Sequence, residues 1–122
     1  MAGFEDLLAY RLAVELADDL RHVVTGWPPL DQWTLGVQMI RSADSIAANV
    51  AEAEGRGSLA DQKRLLLIAR GSAYELQHWI ERGFARSLMT DDSFRARAAR
   101  VGQLVNGLLR AYRRRIRAAS SE

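Results

Sequence analysis

Apolar residues recur every three or four positions along four stretches of this chain, which is the spacing of helices that each bury one face. The stretches cover about residues 4–25, 31–54, 59–87 and 91–118. No stretch shows the period-two alternation of a β-strand. The pattern predicts an all-α protein, an up-down-up-down antiparallel four-helix bundle that forms one domain over residues 1–122. The residues predicted to face the core from the first helix are Leu8, Leu12, Leu16, Leu20 and Val23.

Residues that favour helix termini stand at most of the predicted ends. Glu5 and Asp6 suit the positive end of the first helix dipole, and Asp31 is the predicted N-cap of the second helix. Residues 58–61 fit the capping pattern Ser-x-x-Asp at the start of the third helix. Thr90-Asp91-Asp92 is predicted to cap the fourth helix, whose Tyr112 and Ile116 lie on its apolar face.

The second helix carries unusually small side chains. Between residues 41 and 56 five residues are alanine, and only Ile46 and Val50 are large and apolar. Small side chains allow neighbouring helices to approach to the short end of the usual ~8–10 Å interaxial distance. We therefore expect this helix to be buried on two sides, by its own bundle and by a second copy of the chain. Gly71, in the middle of the third helix, predicts another close backbone approach, since glycine there costs up to ~1 kcal/mol relative to alanine.

Composition narrows the classes of protein to consider. The chain has no cysteine, so it forms neither disulfides nor a thiolate zinc site. It shows no signal-peptide pattern and no apolar run near the roughly 18 residues that span a bilayer, so a cytoplasmic protein is expected. The net charge of +2 conceals an asymmetry: residues 1–62 carry four basic and ten acidic residues (−6), and residues 63–122 carry thirteen and five (+8).

The most basic stretch is the end of the fourth helix, and it is the candidate nucleic-acid-binding surface. Arginine recognises phosphate and carboxylate through its planar, forked guanidinium group. The alternative is a solvated basic helix end, which the helix dipole favours. The arginines of this stretch are Arg110, Arg113, Arg114, Arg115 and Arg117. Of these we expect Arg113, Arg114 and Arg117 to face solvent.

A second set of polar residues lies on the second and third helices. It forms either a functional pocket or, in the interpretation we favour, a buried network in which arginines pair with carboxylates across the two helices. The set consists of Arg41, Asn49, Glu52, Arg56, Arg70 and Glu75. His22 and His78 each follow an acidic residue by three positions, as in four-helix di-metal proteins, but the fourth helix offers no inward carboxylate. We assign no catalytic, cofactor-binding or metal-binding residue.

Three blocks of sequence resemble a family of small four-helix bundles. This family includes the protein encoded in intervening sequences of bacterial 23S ribosomal RNA genes and the accessory variability determinant of diversity-generating retroelements. The blocks are Phe4-Glu5-Asp6-Leu7 with Tyr10 and Ala13; Trp27-Pro28 with Leu35, Gln38, Arg41, Ser45-Ile46, Asn49-Val50-Ala51-Glu52 and Gly55-Arg56; and Ile68-Ala69-Arg70-Gly71-Ser72 with Glu75-Leu76. The chain departs from the family at four positions. Family members commonly have Gly where this chain has Ala53, Pro where it has Ala47, an apolar residue at the position of Asp44 and a basic residue at that of Ile40.

The resemblance implies a bundle that assembles into a ring, typically a homopentamer, and for most family members no established enzymatic activity. For the retroelement members it implies a basic surface that engages nucleic acid and a reverse transcriptase. Our first hypothesis is therefore a non-enzymatic homo-oligomer that binds RNA or DNA and serves as a scaffold for a nucleic-acid enzyme. The alternative is a protein–protein interaction module that does not bind nucleic acid, and a remote alternative is a di-metal carboxylate enzyme.

Overall fold

Four long antiparallel helices form the structure, a computed structural model that describes residues 3–4 and 7–120. Helix α1 is Leu8–Thr25, α3 is Leu59–Ala85 and α4 is Ser93–Ser120. Helix α2 consists of three consecutive segments, Pro29–Asp31, Gln32–Gly36 and Val37–Gly55, of which the middle one is π-helical. Each helix packs against the next along the chain, and α1 also packs against α4. The predicted all-α four-helix bundle is confirmed, and the described residues contain no strand.

The core of the bundle combines large aliphatic residues with alanines. Leu16, Leu20, Met39, Ile46 and Leu76 are among its fully buried large side chains. The apolar face predicted for α1 is only partly right. Leu8 is exposed, Leu12 and Val23 are half-buried, and the fully buried positions include Ala9, Ala13 and Ala17. Alanines lie at the centre of this face because they let the neighbouring helices approach closely.

The first two helices begin at residues other than those predicted. Helix α1 starts at Leu8 rather than near Phe4, and Glu5 and Asp6 lie outside the described residues. Helix α2 starts at Pro29, so the prediction of Asp31 as its N-cap is wrong. Proline suits the first helical position because its ring fixes φ near the helical value and its missing N–H would have had no partner there. Asp31 instead lies in the first turn, where the helix dipole favours a carboxylate.

Helix α2 buries one side within the chain and leaves the other open. Ser42, Ala43, Ala47 and Ala53 are buried, whereas Ala48 is exposed. The burial of the second side against another copy stays a prediction. The prediction of a close backbone approach at Gly71 is wrong within the chain, because a Cβ atom built there has no neighbour within 4 Å.

The turn between α3 and α4 is fixed by backbone hydrogen bonds. Helix α3 ends at Ala85, two residues earlier than predicted, because Ser87 adopts a left-handed conformation with φ of 59°. The N–H of Leu88 donates to the Gly83 carbonyl (2.9 Å) and the N–H of Ser87 donates to the Phe84 carbonyl (3.0 Å), the pattern of a Schellman motif. The predicted caps are confirmed at Ser58, which accepts from the Asp61 N–H, and at Asp91, which accepts from the Ser93 N–H.

Candidate nucleic-acid interface

Two apolar side chains hold the end of α4 against the bundle and direct its arginines outwards. Tyr112 is buried and Ile116 is half-buried, four residues apart on the same side of the helix. The prediction that Arg113, Arg114 and Arg117 face solvent while these two residues pack is confirmed. The surface that we call the arginine cluster consists of Arg110, Arg113, Arg114, Arg115 and Arg117, all of them exposed.

The two ends of α4 differ in how their arginines are paired. Near its start, Arg95 donates to both carboxylate oxygens of Glu81 (2.8 and 3.1 Å) and to Asp92 (2.7 Å). Arg97 donates to Asp19 of α1 at 2.7 Å. In contrast, Arg110, Arg113, Arg114 and Arg115 form no ion pair with any carboxylate among residues 7–120. These four guanidinium groups at the end of α4 are therefore exposed and not ion-paired within the described part of the protein.

Helix α3 adds cations to the same end of the bundle. Two contacts show which residues of the antiparallel helices α3 and α4 lie side by side. A Cβ atom built on Gly102 of α4 would lie 3.2 Å from Gln77 Nε2 of α3, and Arg95 of α4 binds Glu81 of α3. At 1.5 Å per residue on both helices, this register places Arg70 beside about residues 106–109 and Lys63 beside about residues 113–116. Sequence reasoning missed that Lys63 and Arg70 join the basic surface. The signal was present, since Lys63, Arg70 and Gln77 follow one another at seven-residue intervals, which marks one helical face.

The interpretation of the second polar set as a buried network is wrong within the chain. Arg41, Glu52, Arg56 and Glu75 are exposed, and Asn49 and Arg70 are only half-buried. Their hydrogen bonds run mainly along single helices rather than between them. Arg56 pairs with Glu52 one turn away (2.7 Å), and Glu75 Oε1 accepts from Trp79 Nε1 (2.9 Å). These partners are four residues apart on the same helix, so the polar groups pair without being buried between helices, and the set stays at the surface.

Between α2 and α3 a polar groove opens to solvent. The hydroxyl oxygens of Ser45 and Ser72 lie 2.8 Å apart across the helices, and Asn49 Nδ2 donates to the Ser45 carbonyl at 2.8 Å. The groove encloses about 210 Å³ and includes Arg41 and Glu75 in its lining. It meets a second groove of about 380 Å³ at Gln38, where Trp33 and Trp79 form aromatic walls.

The geometry also bears on the alternative of a di-metal site. His22 and His78 are exposed. Within the ranges 3–4 and 7–120 no three histidine, aspartate or glutamate side chains come together closely enough to hold a metal ion. No helix in these ranges is long and apolar enough to cross a bilayer.

Comparison with known proteins identifies relatives of this chain. Residues 5–109 match the sequence model of a family described as 23S rRNA-intervening sequence protein. A crystal structure of a protein of unknown function from the S23 ribosomal protein family of Bacteroides thetaiotaomicron VPI-5482 has the same fold, with a TM-score of 0.78 and 24% sequence identity. The match covers 87% of this chain and 98% of that one. No curated protein matches the sequence.

Proposed function

Because the chain belongs to the 23S rRNA-intervening sequence protein family, we propose that it is a non-enzymatic protein that binds RNA or DNA through the arginine cluster. The observation that carries this proposal is the contrast within α4. Its first arginines, Arg95 and Arg97, are bound by carboxylates, and its last ones are exposed and, at four positions, unpaired among residues 7–120. Exposed guanidinium groups without ion pairs, close together on one helix, suit a ligand with closely spaced negative charges, such as a phosphate backbone.

We propose further that copies of the chain assemble into a ring-shaped homo-oligomer, for which a pentamer is the form that the family resemblance implies. The open side of α2 supports this proposal. Two small exposed residues lie on this surface, Ala48 on α2 and Gly71 on the neighbouring part of α3. Two large apolar side chains are also exposed, Trp33 by 77% and Ile68 by 43%. Small residues beside exposed large apolar ones suit close helix packing with another copy. Repetition of the arginine cluster around a ring strengthens binding to a long polyanion through avidity.

The role that we propose for such an assembly is that of a cytoplasmic scaffold, which holds a nucleic acid for an enzyme that acts on it. A reverse transcriptase is the enzyme partner that the resemblance to the retroelement proteins implies. This part of the proposal makes a simple prediction about interaction. A pull-down with a candidate enzyme should depend on nucleic acid or on the arginine cluster, and an enzyme captured without either would contradict the scaffold role.

Titration of labelled single-stranded and duplex RNA and DNA at two salt concentrations tests nucleic-acid binding. The test variant is the double substitution Arg113→Glu/Arg114→Glu. Because each lost phosphate contact removes about one released counterion, we expect more than a tenfold loss of affinity and a salt slope that is shallower by about two.

The matched control is Arg82→Glu/Arg100→Glu, which changes the net charge equally at two exposed arginines outside the cluster. We expect the control to retain binding to within a few-fold. Equal losses in the two double variants would show that only the overall charge matters and would contradict a defined surface. Absence of binding by the unaltered protein would overturn the proposal, and capture of an acidic protein partner through the same arginines would favour the interaction-module alternative.

A further inference from the structure

The outer surface of α3 carries a row of side chains that contribute little to the core of the bundle. Arg70, Tyr74 and His78 occupy successive positions four residues apart, so they lie along one surface of the helix. Tyr74 is 54% exposed and His78 is exposed. The side chains of Arg70 and Tyr74 have no hydrogen-bond or ion-pair partner in the described part of the chain. An exposed tyrosine offers an apolar ring face that can stack on a partner while its hydroxyl group stays in water.

This row leads towards the arginine cluster. The register between α3 and α4 places Lys63 beside about residues 113–116, within the arginine cluster, and Arg70 about two turns earlier along α4, beside about residues 106–109. From Tyr74 to Lys63 the rise along the helix is about 16 Å, at 1.5 Å per residue. One aromatic ring is thus followed, over a length of a few nucleotides, by cations from two helices.

Among the described residues of α3 and α4, no carboxylate lies between Tyr74 and the arginine cluster. Between Lys63 and Glu81 the only acidic residue is Glu75, and it lies towards α2, where its Oε1 accepts from Trp79 Nε1 (2.9 Å). Glu81 is held by Arg95. The surface from Tyr74 to the arginine cluster therefore combines a stacking group with phosphate-binding groups, and neither residues 63–74 of α3 nor residues 93–120 of α4 contribute a carboxylate to it.

We infer that this surface binds single-stranded nucleic acid, with an unpaired base stacked on Tyr74 and the adjoining phosphates bound by Arg70, Lys63 and the arginine cluster. The inference rests on the proposed function and specifies the ligand. Only unpaired bases present a free face to an aromatic side chain, whereas a duplex offers its phosphates alone to such a surface. Trp33 is more exposed than Tyr74, but it lies in the groove between α2 and α3, away from the arginine cluster.

Fluorescence anisotropy with two labelled ligands tests the inference: a single-stranded oligoadenylate RNA of about 12 nucleotides, within the usual site sizes, and an RNA duplex of equal length. Tyr74→Ala should weaken single-strand binding by about 5- to 150-fold, the effect of losing one base-stacking contact. Its duplex affinity should stay unchanged. Tyr74→Phe is the matched control, because it keeps the ring and should keep single-strand affinity.

A third variant, Arg70→Gln, should weaken both ligands and make the salt slope shallower by about one, as expected for a phosphate contact. The inference would be overturned if Tyr74→Ala bound the single strand as tightly as the unaltered protein does. It would also be overturned if Tyr74→Ala lost affinity equally for the single strand and the duplex. If Arg113→Glu/Arg114→Glu still abolishes binding in that case, the proposed function stands while the stacking site is rejected. An unaltered protein that binds neither ligand overturns both.

Discussion

Ser87 shows how one residue can end a helix at an energetic cost. Its φ of 59° lies in the left-handed region, where a side chain crowds the following carbonyl, and this conformation costs non-glycine residues roughly 1–2 kcal/mol. The Schellman hydrogen bonds of Ser87 and Leu88 hold it there. We predict that Ser87→Gly raises the free energy of unfolding by about 1 kcal/mol, measured by denaturant titration. Ser93→Gly, the same substitution at a right-handed helical position, should not stabilise the protein, and stabilisation by both would contradict this explanation.

Glycines show what a sequence cannot reveal at the residue scale. Gly36 and Gly71 both lie within helical patterns, and the sequence analysis attached a close approach only to Gly71. The structure reverses this within the chain. A Cβ atom on Gly36 would lie 2.5 Å from Val24 Cγ1 and 3.2 Å from the Asp31 carbonyl oxygen, whereas one on Gly71 would meet nothing within 4 Å. Contacts of this kind depend on how neighbouring helices cross, and local sequence does not encode that crossing.

At the scale of helices, Arg95 links the start of α4 to the end of α3. It binds Glu81 and Asp92, and its guanidinium group lies 3.7 Å from the centre of the Phe84 ring. The hydrogen bond from Arg95 lowers the pKa of Glu81 below its ordinary value. A carboxyl whose pKa is lower in the folded than in the unfolded state stabilises the fold above its unfolded pKa, and this contribution is lost as the pH falls through the folded pKa.

We therefore predict that Glu81→Gln lowers the melting temperature at neutral pH. The difference from the unaltered protein should shrink below about pH 4.3, where the unfolded-state carboxyl is protonated. Thermal unfolding followed by circular dichroism between neutral and acidic pH measures this effect. Glu15→Gln is the control, since Glu15 forms no ion pair among residues 7–120. A difference between Glu81→Gln and the unaltered protein that is independent of pH would show that the carboxylate charge is not the cause.

The number and type of the long helices were predictable because hydrophobic period reports helix faces directly. The start of α2 was not, because Pro29 and Asp31 both carry helix-start signals and the proline prevails. The second polar set was also misjudged. Glu52 and Arg56 satisfy each other one turn apart, and a pattern of charges does not show whether pairing is local or between helices. The exposure of the arginine cluster was predictable, since Tyr112 and Ile116 fix which side of α4 packs.

On the scale of the whole molecule, two different surfaces serve the two parts of the proposal. The surface between α3 and α4 carries the cations and Tyr74. The open side of α2 with the adjoining part of α3 carries small and apolar residues among charged ones such as Arg41 and Glu52. Helix α3 borders both surfaces, since Ile68 and Arg70, two residues apart, lie on nearly opposite sides of it. We predict that a second copy packed on α2 and Ile68 leaves Arg70 accessible, so that assembly and nucleic-acid binding can be disrupted separately by substitution.

Ala48 gives the sharpest test of assembly, because it is exposed in the single chain and central to the open side of α2. Ala48→Arg should leave the helical circular dichroism spectrum of the subunit unchanged, since arginine favours helix and meets solvent there. In the oligomer the same side chain would place bulk and an unpaired charge in a packed contact.

Light scattering should give a multiple of 13.6 kDa for the unaltered protein and a smaller mass for Ala48→Arg. Ala96→Arg, at an exposed alanine of α4, should keep the full mass. A monomer at micromolar concentration before any substitution would refute the ring, and equal masses for all three proteins would place the contact elsewhere.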